Sequence, residues 1–304
     1  MLNSLNKRRQ RINLLNELYN CKFKHDLFIS IKIPDDLIYQ LRFATGYFIS
    51  KAMGFNYLDN EKDLINNINL NKSNEKNITP NGAVVPKKEF QLEYNLFLKR
   101  WFEIIKYLKD QNTSFSKIRI TPNIRIKFAD EIKHNINRKL NTSVTHSDAW
   151  LEGPWGLNCH IPLFGDTSKN YLKFFECKND DKFSDDFLKL SRSYKDMQWV
   201  LKYYKPTKFK PIKNMINISD YALLHKTQRD KSCGTRVSID TTVYIGKDEM
   251  SELIDERSRE YLNYIPDIGR SQYVKCNVSQ FDKINHKKNS FSHYTNNNTT
   301  FIEL

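Results

Sequence analysis

The sequence predicts a mostly β protein with flanking helices, and three observations lead there. Apolar residues recur at helical steps in the first 115 residues, the period shortens from Ser116 onward, and the later half holds many short segments rich in β-branched residues. Helices first and many short strands after them suit an all-β core with helical support. At 304 residues, 39% hydrophobic and 28% charged, the chain can bury a sizeable core and has a soluble globular composition. No apolar run reaches the ~18 residues that mark a spanning helix.

Leu5, Ile12, Leu15 and Tyr19 fall near helical spacing, so residues 3–19 read as an amphipathic helix. Residues 27–33 carry β-branched side chains at alternating positions and read as a strand ended by Pro34. Asp35 or Asp36 is placed to cap a short helix through Leu41. Residues 59–85, rich in Asn, Lys, Asp and Ser with the turn signal Pro80-Asn81-Gly82, read as a loop or poorly ordered insertion. The clearest helix is Lys87 to Leu108, where Phe90, Tyr94, Phe97, Trp101, Ile104 and Leu108 recur at three- and four-residue steps.

Ile118 and Ile120 before the Thr121-Pro122-Asn123 break, with Ile124 and Ile126 after it, predict a pair of strands. Further strands are expected at 143–148, 156–163, 171–176, 215–218, 221–226 and 235–245. A helical pattern (Phe183, Phe187, Leu190, Tyr194) interrupts them between Asp180 and Tyr204. Residues 249–262 read as a closing helix and 284–304 as a frayed tail with little to bury. The organisation expected is one domain over 1–304. It has helical support with a strand and a polar insertion at 1–115, a β core at 116–246, and a C-terminal helix and extension at 247–283.

The net charge of +14 invites a nucleic-acid reading, with short basic clusters at Lys7-Arg8-Arg9-Gln10-Arg11 and Lys202 to Lys213. The lysines are otherwise scattered through a chain rich in Lys, Asn and Ile, so compositional bias or attraction to a small anionic substrate is the preferred reading. Five cysteines (Cys21, Cys159, Cys177, Cys233, Cys276) are odd in number and widely spaced, with no CxxC. That argues against a disulfide framework or zinc knuckle and for a reducing cytoplasm. The basic N-terminus is followed by no apolar segment, so a secretory signal is not expected.

His146-Ser147-Asp148 is the most informative motif. On a strand, alternate side chains share a face, so His146 and Asp148 would project together. His225 supplies a second imidazole from downstream. Two imidazoles and one carboxylate can hold one face of a non-haem Fe(II) and leave the other positions open. Arg236, eleven residues after His225, offers a planar fork suited to the carboxylate of an acidic cosubstrate. The plainer readings are two surface residues near a turn for the motif, and a solvated arginine or a pair with Asp240 for Arg236.

Three stretches carry a resemblance: THSDAWLEG (145–153), HIPLFGDTSKNYLKF (160–174) and LLHKTQRDKSCGTRVSIDTTVYI (223–245). Over residues 116–246 the chain resembles the Fe(II)/2-oxoglutarate-dependent oxygenases of the double-stranded β-helix (jelly-roll, cupin-like) fold. More narrowly, it is similar to a branch associated with carbohydrate-cluster and aminoglycoside-type biosynthesis. The resemblance implies His146, Asp148 and His225 as iron ligands. It implies Arg236 on the far carboxylate of 2-oxoglutarate, with Ser238 adding a hydrogen bond. Asn170 and Tyr171 match a segment lining the cosubstrate, with Tyr171 as a core residue the alternative.

Arg119 and Arg125 lie where the family has arginines that reach the pocket, and are otherwise exposed strand residues. Trp150, Trp155 and Tyr244 would wall the open iron face or simply pack the barrel. His160 stands where the family more often has Trp or another large residue, and reads as a core or pocket histidine rather than a third ligand. Arg125, Trp150 and His160 are the substrate-side candidates. The loop Gln228 to Ser232 lacks the asparagine often seen after the distal histidine. Cys233 has no base at fixed spacing and is not a nucleophile candidate. His25, His134, His286 and His293 lack ligand-like spacing and are expected at the surface.

The implied activity takes O₂ and 2-oxoglutarate, yields succinate and CO₂, and oxidises a small polar metabolite, most simply by hydroxylation. A sugar or sugar-derived intermediate is the substrate class suggested. No membrane or nucleic-acid partner is expected, and the oligomeric state is left open. Two rivals stand beside this reading: an oxygenase acting on nucleic acid, and a non-catalytic jelly-roll protein that binds a sugar. A zinc hydrolase fits less well, because no clear general base accompanies the triad.

Overall fold

The computed structural model describes residues 4–21, 25–72, 77–110, 115–119, 122–130, 140–191, 193–245 and 273–275. The expected closing helix at 249–262 and the tail at 284–304 lie outside these, as do His134, His286 and His293.

Four helices support the β structure: α1 (Ser4–Leu18), α2 (Asp35–Met53), α3 (Glu61–Leu70) and α4 (Gln91–Asp110). The second runs well past the short helix expected to end at Leu41. Ile38, Leu41, Phe48, Ile49, Ala52 and Met53 keep burying one face until Gly54, at φ 80°, turns the chain out. Its cap also differs from expectation. Pro34 occupies that position without a side-chain bond, and Asp35 and Asp36 sit in the first turn, where they complement the helix dipole.

The 59–85 segment is a second correction, since α3 lies within it. Asn60 caps this helix by accepting from the Lys62 and Asp63 amides, and Leu64 and Ile68 are its buried residues, a pattern too sparse to stand out among Asn and Lys. Later in the segment, residues 82–84 are stitched to β3 (Asn123–Lys127): Val84 donates to the Ile124 carbonyl and Ile126 to that of Gly82. Gly82 has φ 83°, and a Cβ there would collide with the Ile126 carbonyl oxygen, so the close approach requires glycine.

The larger sheet comprises β1 (Phe28–Lys32), β7 (Met215–Asp220), β4 (Leu157–Gly165), β9 (Arg236–Ile245), β2 (Phe115–Arg119) and β10 (Tyr273–Lys275), paired antiparallel in that order. Beside β2, β3 pairs with the first half of β9. The smaller sheet is β6 (Tyr204–Pro206), β5 (Asn170–Cys177) and β8 (Leu224–Arg229), also antiparallel. The expected strand at 221–226 starts later than predicted, at Leu224.

Strand alternation separates two environments. Ile124, Ile126, Cys159, Ile161, Ile216, Ile218, Val237 and Ile239 join Phe48, Phe97, Trp101 and Ile104 of the helices in one apolar core. The opposite phase of the same strands, including Asn158, His160, Arg236, Ser238 and Asp240, faces a cavity that Leu172, His225 and Thr227 of the smaller sheet also line. The helical interruption at 180–204 consists of three 3₁₀ segments, Asp180–Lys182, Asp185–Leu188 and Tyr194–Tyr203. Asn179, Ser184 and Ser193 open them with side-chain caps.

The N-terminal basic cluster is largely spent on internal contacts. Arg8 and Arg11 are buried and each lies 2.9 Å from a carboxylate oxygen of buried Asp220. Arg11 also donates to the Trp155 carbonyl, and the Arg8 guanidinium lies 4.1 Å over the Trp155 ring. Arg9 pairs with Asp180 at 2.8 Å. Cys21, Cys159, Cys177 and Cys233 are free thiols. Among the described residues no helix is long and apolar enough to cross a membrane.

Candidate metal and cosubstrate site

The strand expected at 143–148 does not form. His146 makes an isolated bridge with His225, and Asp148 takes αR geometry at the start of the short helix α5 (Ala149–Glu152). Asp148 therefore comes round to its histidine by a turn rather than by strand alternation. Ser147 holds that turn, donating to the Tyr221 carbonyl and accepting from the Ala149 amide.

The motif and the distal histidine nonetheless meet. Ligand atoms of His146, Asp148 and His225 all lie within 4.8 Å of one another. His146 Nε2 is 3.9 Å from Asp148 Oδ1, and His225 Nε2 is 3.8 Å from Asp148 Oδ2. His146 Nδ1 lies 2.8 Å from the Val144 carbonyl, which can only accept; Nδ1 therefore carries the proton and Nε2 presents its lone pair to the other two ligands. Tyr194 stacks on the His146 ring at 4.3 Å, and Asn158 Nδ2 donates to Asp148 Oδ2 at 2.8 Å. Burial, reinforced by the neighbouring His225, pushes the His146 pKa down to about 3, and burial pushes that of His225 down to about 4. Both imidazoles are thus neutral near pH 7, the state that coordinates a metal.

A second group of polar side chains lines the same cavity. Arg236 opens β9 opposite Lys127 of β3 and Gly165 of β4, and is 1% exposed. Its Nε and Nη1, the Ser238 hydroxyl and both ring nitrogens of His160 have no hydrogen-bond partner among the described residues. Burial lowers the Arg236 pKa to about 9 and holds His160 well below the usual histidine range. Asp240 acts on Arg236 only through its charge and makes no hydrogen bond to it. It accepts from Arg125 and from Asn123 Nδ2 instead. A buried guanidinium with unpartnered donors is costly, and an anion in this cavity would offset that cost.

The other residues singled out in the sequence divide between cavity and core. Arg125 and His160 line the cavity. Asn170 is buried, and its Nδ2 ties the Lys127 and Gly234 carbonyls together at 2.8 and 3.1 Å, which fixes the chain entering β9. Tyr171, in the opposite strand phase, lies under the Lys210 ammonium at 3.9 Å and is not among the cavity residues. Trp150 packs in the core against Tyr194, its Nε1 donating to the Phe187 carbonyl at 2.7 Å. Trp155 belongs to the Arg8 stack. The side chains of Arg119 and Tyr244 lie outside the described residues.

Sequence reasoning missed Lys127, Asn158, Asn81, Thr227 and Tyr194, which also line the cavity. Only Lys127 left a signal, since Asn123, Arg125 and Lys127 form a polar alternation against Ile124 and Ile126. Burial, together with Arg125 and Arg236 as neighbouring like charges, holds the Lys127 ammonium well below the ordinary lysine range.

No family model and no curated protein matches the chain. Solved structures similar to it include the non-haem α-ketoglutarate-dependent epimerase SnoN from nogalamycin biosynthesis, at 8% identity and TM-score 0.41 over 78% of this chain and 83% of that one. The non-haem α-ketoglutarate-dependent carbocyclase SnoK from the same biosynthesis gives 9% and 0.38 over 74% and 85%. An N-substituted L-amino acid dioxygenase from Burkholderia ambifaria AMMD gives 12% and 0.37 over 73% and 84%. At these values the likeness assigns neither fold nor activity, and the functional reading rests on the cavity's own residues.

Proposed function

We propose that the chain is an Fe(II)- and 2-oxoglutarate-dependent dioxygenase with a double-stranded β-helix core, acting on a small polar metabolite. The observation that carries this reading is one cavity holding both His146, Asp148 and His225, with ligand atoms within 4.8 Å, and the buried Arg236 with unpartnered donors. The donor set fits the metal: two neutral imidazole nitrogens and one carboxylate, without a thiolate, suit a non-haem Fe(II) with positions left open. The fold reading draws support from two antiparallel sheets that share this cavity.

When bound, the iron and the 2-oxo acid supply O₂ activation, with succinate and CO₂ as coproducts and a substrate C–H bond oxidised. The chain's residues supply orientation and a dry enclosure. The Val144 carbonyl fixes the tautomer of His146, and Asn158 steers the Asp148 carboxylate. Arg236 would meet the distal carboxylate of the cosubstrate through its planar fork, and Ser238 would add a hydroxyl donor on the same strand face. Asn170 would act on the cosubstrate indirectly, by holding the approach to β9. Arg125 and His160 are the cavity residues proposed to face substrate, with Trp150 supporting the wall from the core. A sugar or sugar-derived intermediate is the proposed substrate class, and hydroxylation the proposed outcome.

The test is succinate formation from 2-oxoglutarate in the presence of Fe(II) and O₂, compared between the native chain and Asp148→Ala. Succinate from the native chain and none above background from the variant supports the reading; equal turnover overturns the ligand assignment.

A further inference from the structure

Lys127 is a buried lysine that the iron ligands and Arg236 leave unexplained. It sits directly across from Arg236 in the β3–β9 register, so the two side chains leave the same sheet face from positions with Cα atoms ~5 Å apart. Both line the cavity, and Lys127 is 7% exposed. An ammonium carries three protons. Lys127 Nζ donates to the Asn81 carbonyl at 2.8 Å and to Thr142 Oγ1 at 3.3 Å, both neutral acceptors, so the charged form has one further proton to place. Among the described residues no carboxylate forms an ion pair with Lys127 or Arg236; Asp240, on the same face of β9, is engaged by Arg125 and Asn123. Two like charges at paired positions in a dry cavity repel, and a single carboxylate between them offsets both.

The partners of Lys127 give the pairing a second consequence. Asn81 also donates through Nδ2 to the Leu140 carbonyl, and Thr142 lies in the turn that leads into His146. One side chain therefore joins the anion end of the cavity, the wall at 77–85 and the approach to an iron ligand.

We propose that Lys127 forms the second half of the carboxylate site, so that the distal carboxylate of a 2-oxo dicarboxylic acid is held between Arg236 and Lys127. This rests on the cosubstrate reading above. The lysine then sets selectivity: it favours 2-oxo acids with a second carboxylate over those without one, and contributes nothing to the metal-chelating end.

The experiment is calorimetric titration of the full chain with Fe(II) under anaerobic conditions, using 2-oxoglutarate and, as the acid lacking a distal carboxylate, pyruvate. Lys127→Gln keeps a donor for Asn81 and Thr142 but removes the charge, and Lys127→Met serves as a second neutral variant if the first does not fold. The expected result is roughly 10- to 100-fold weaker 2-oxoglutarate binding, as for loss of a charge-assisted bond, with pyruvate unaffected and Lys127→Arg regaining most of the preference. Unchanged 2-oxoglutarate affinity in a folded neutral variant overturns the proposal. Equal weakening for both acids also overturns it, because the lysine would then only brace the wall. Failure of the native chain to bind 2-oxoglutarate removes the cosubstrate reading itself, a result distinct from native binding matched by the Lys127 variants.

Discussion

His146 and His225 face each other across a closed pair of backbone hydrogen bonds, His146 N–H donating to His225 at 2.9 Å and His225 N–H to His146 at 2.8 Å. Their rings are 4.4 Å apart at the centroids. The main chain, rather than side-chain packing alone, fixes the separation of the two imidazoles, and two buried bases this close are hard to protonate.

Stability without metal should therefore depend on pH. Both histidines have pKa values depressed by burial, from 6.5 to about 3 for His146 and about 4 for His225. The unfolded chain binds more protons than the folded one below pH ~6.5, so stability is full above that pH and falls as pH drops through 4 towards 3. Thermal melts of the metal-free protein between pH 7.5 and 4.5 should show a falling Tm, with a smaller fall in His146→Gln. A flat profile would contradict the burial of neutral imidazoles.

Arg236 should prove functional rather than structural. A buried guanidinium with unpartnered donors does little for the empty fold, so Arg236→Met is expected to leave the Tm of the cosubstrate-free protein unchanged or raised. The same variant should lose 2-oxoglutarate binding by 10-fold or more. A large loss of stability would show that the arginine holds the fold together.

Asn158→Ala removes the side chain that orients Asp148. Metal affinity is expected to fall roughly 10- to 100-fold, as for other supporting partners of metal ligands. Titration with Fe(II) or Mn(II) measures it, and unaltered affinity would show that Asp148 needs no such support.

Asp220→Ala should be severe for a different reason. It strands two buried arginines whose shared counter-ion is gone, a change costing about 3–5 kcal/mol when a buried pair is broken on one side. Denaturant unfolding should register that loss, and a change below about 1 kcal/mol would contradict the clamp between α1 and the β7–β8 turn.

What the sequence disclosed follows the range of the interactions involved. Helix α4 and the strands around Ile124, Ile161 and Ile239 were legible because a one-sided apolar period is written locally. The motif picked out two side chains that do converge, His146 and Asp148, but by a different geometry: strand alternation and a turn into α5 both bring residues two apart towards one place. Asn158 stayed hidden because its bond to Asp148 depends on the turn through α5, and Lys127 showed only as part of a polar alternation because its pairing with Arg236 is a register between strands far apart in sequence. The cluster at Arg8 and Arg11 looked like surface charge because its partner, Asp220, is more than two hundred residues away.

The central claim is that one cavity holds Fe(II) and a 2-oxo acid together, and anaerobic absorption spectroscopy tests it most directly. Addition of 2-oxoglutarate to the Fe(II)-loaded chain should produce a visible metal-to-ligand charge-transfer band that is lost in Asp148→Ala and weakened in Arg236→Met. Fe(II) and 2-oxoglutarate giving no such band in the native chain, or a band that persists unchanged in Asp148→Ala, would contradict the account.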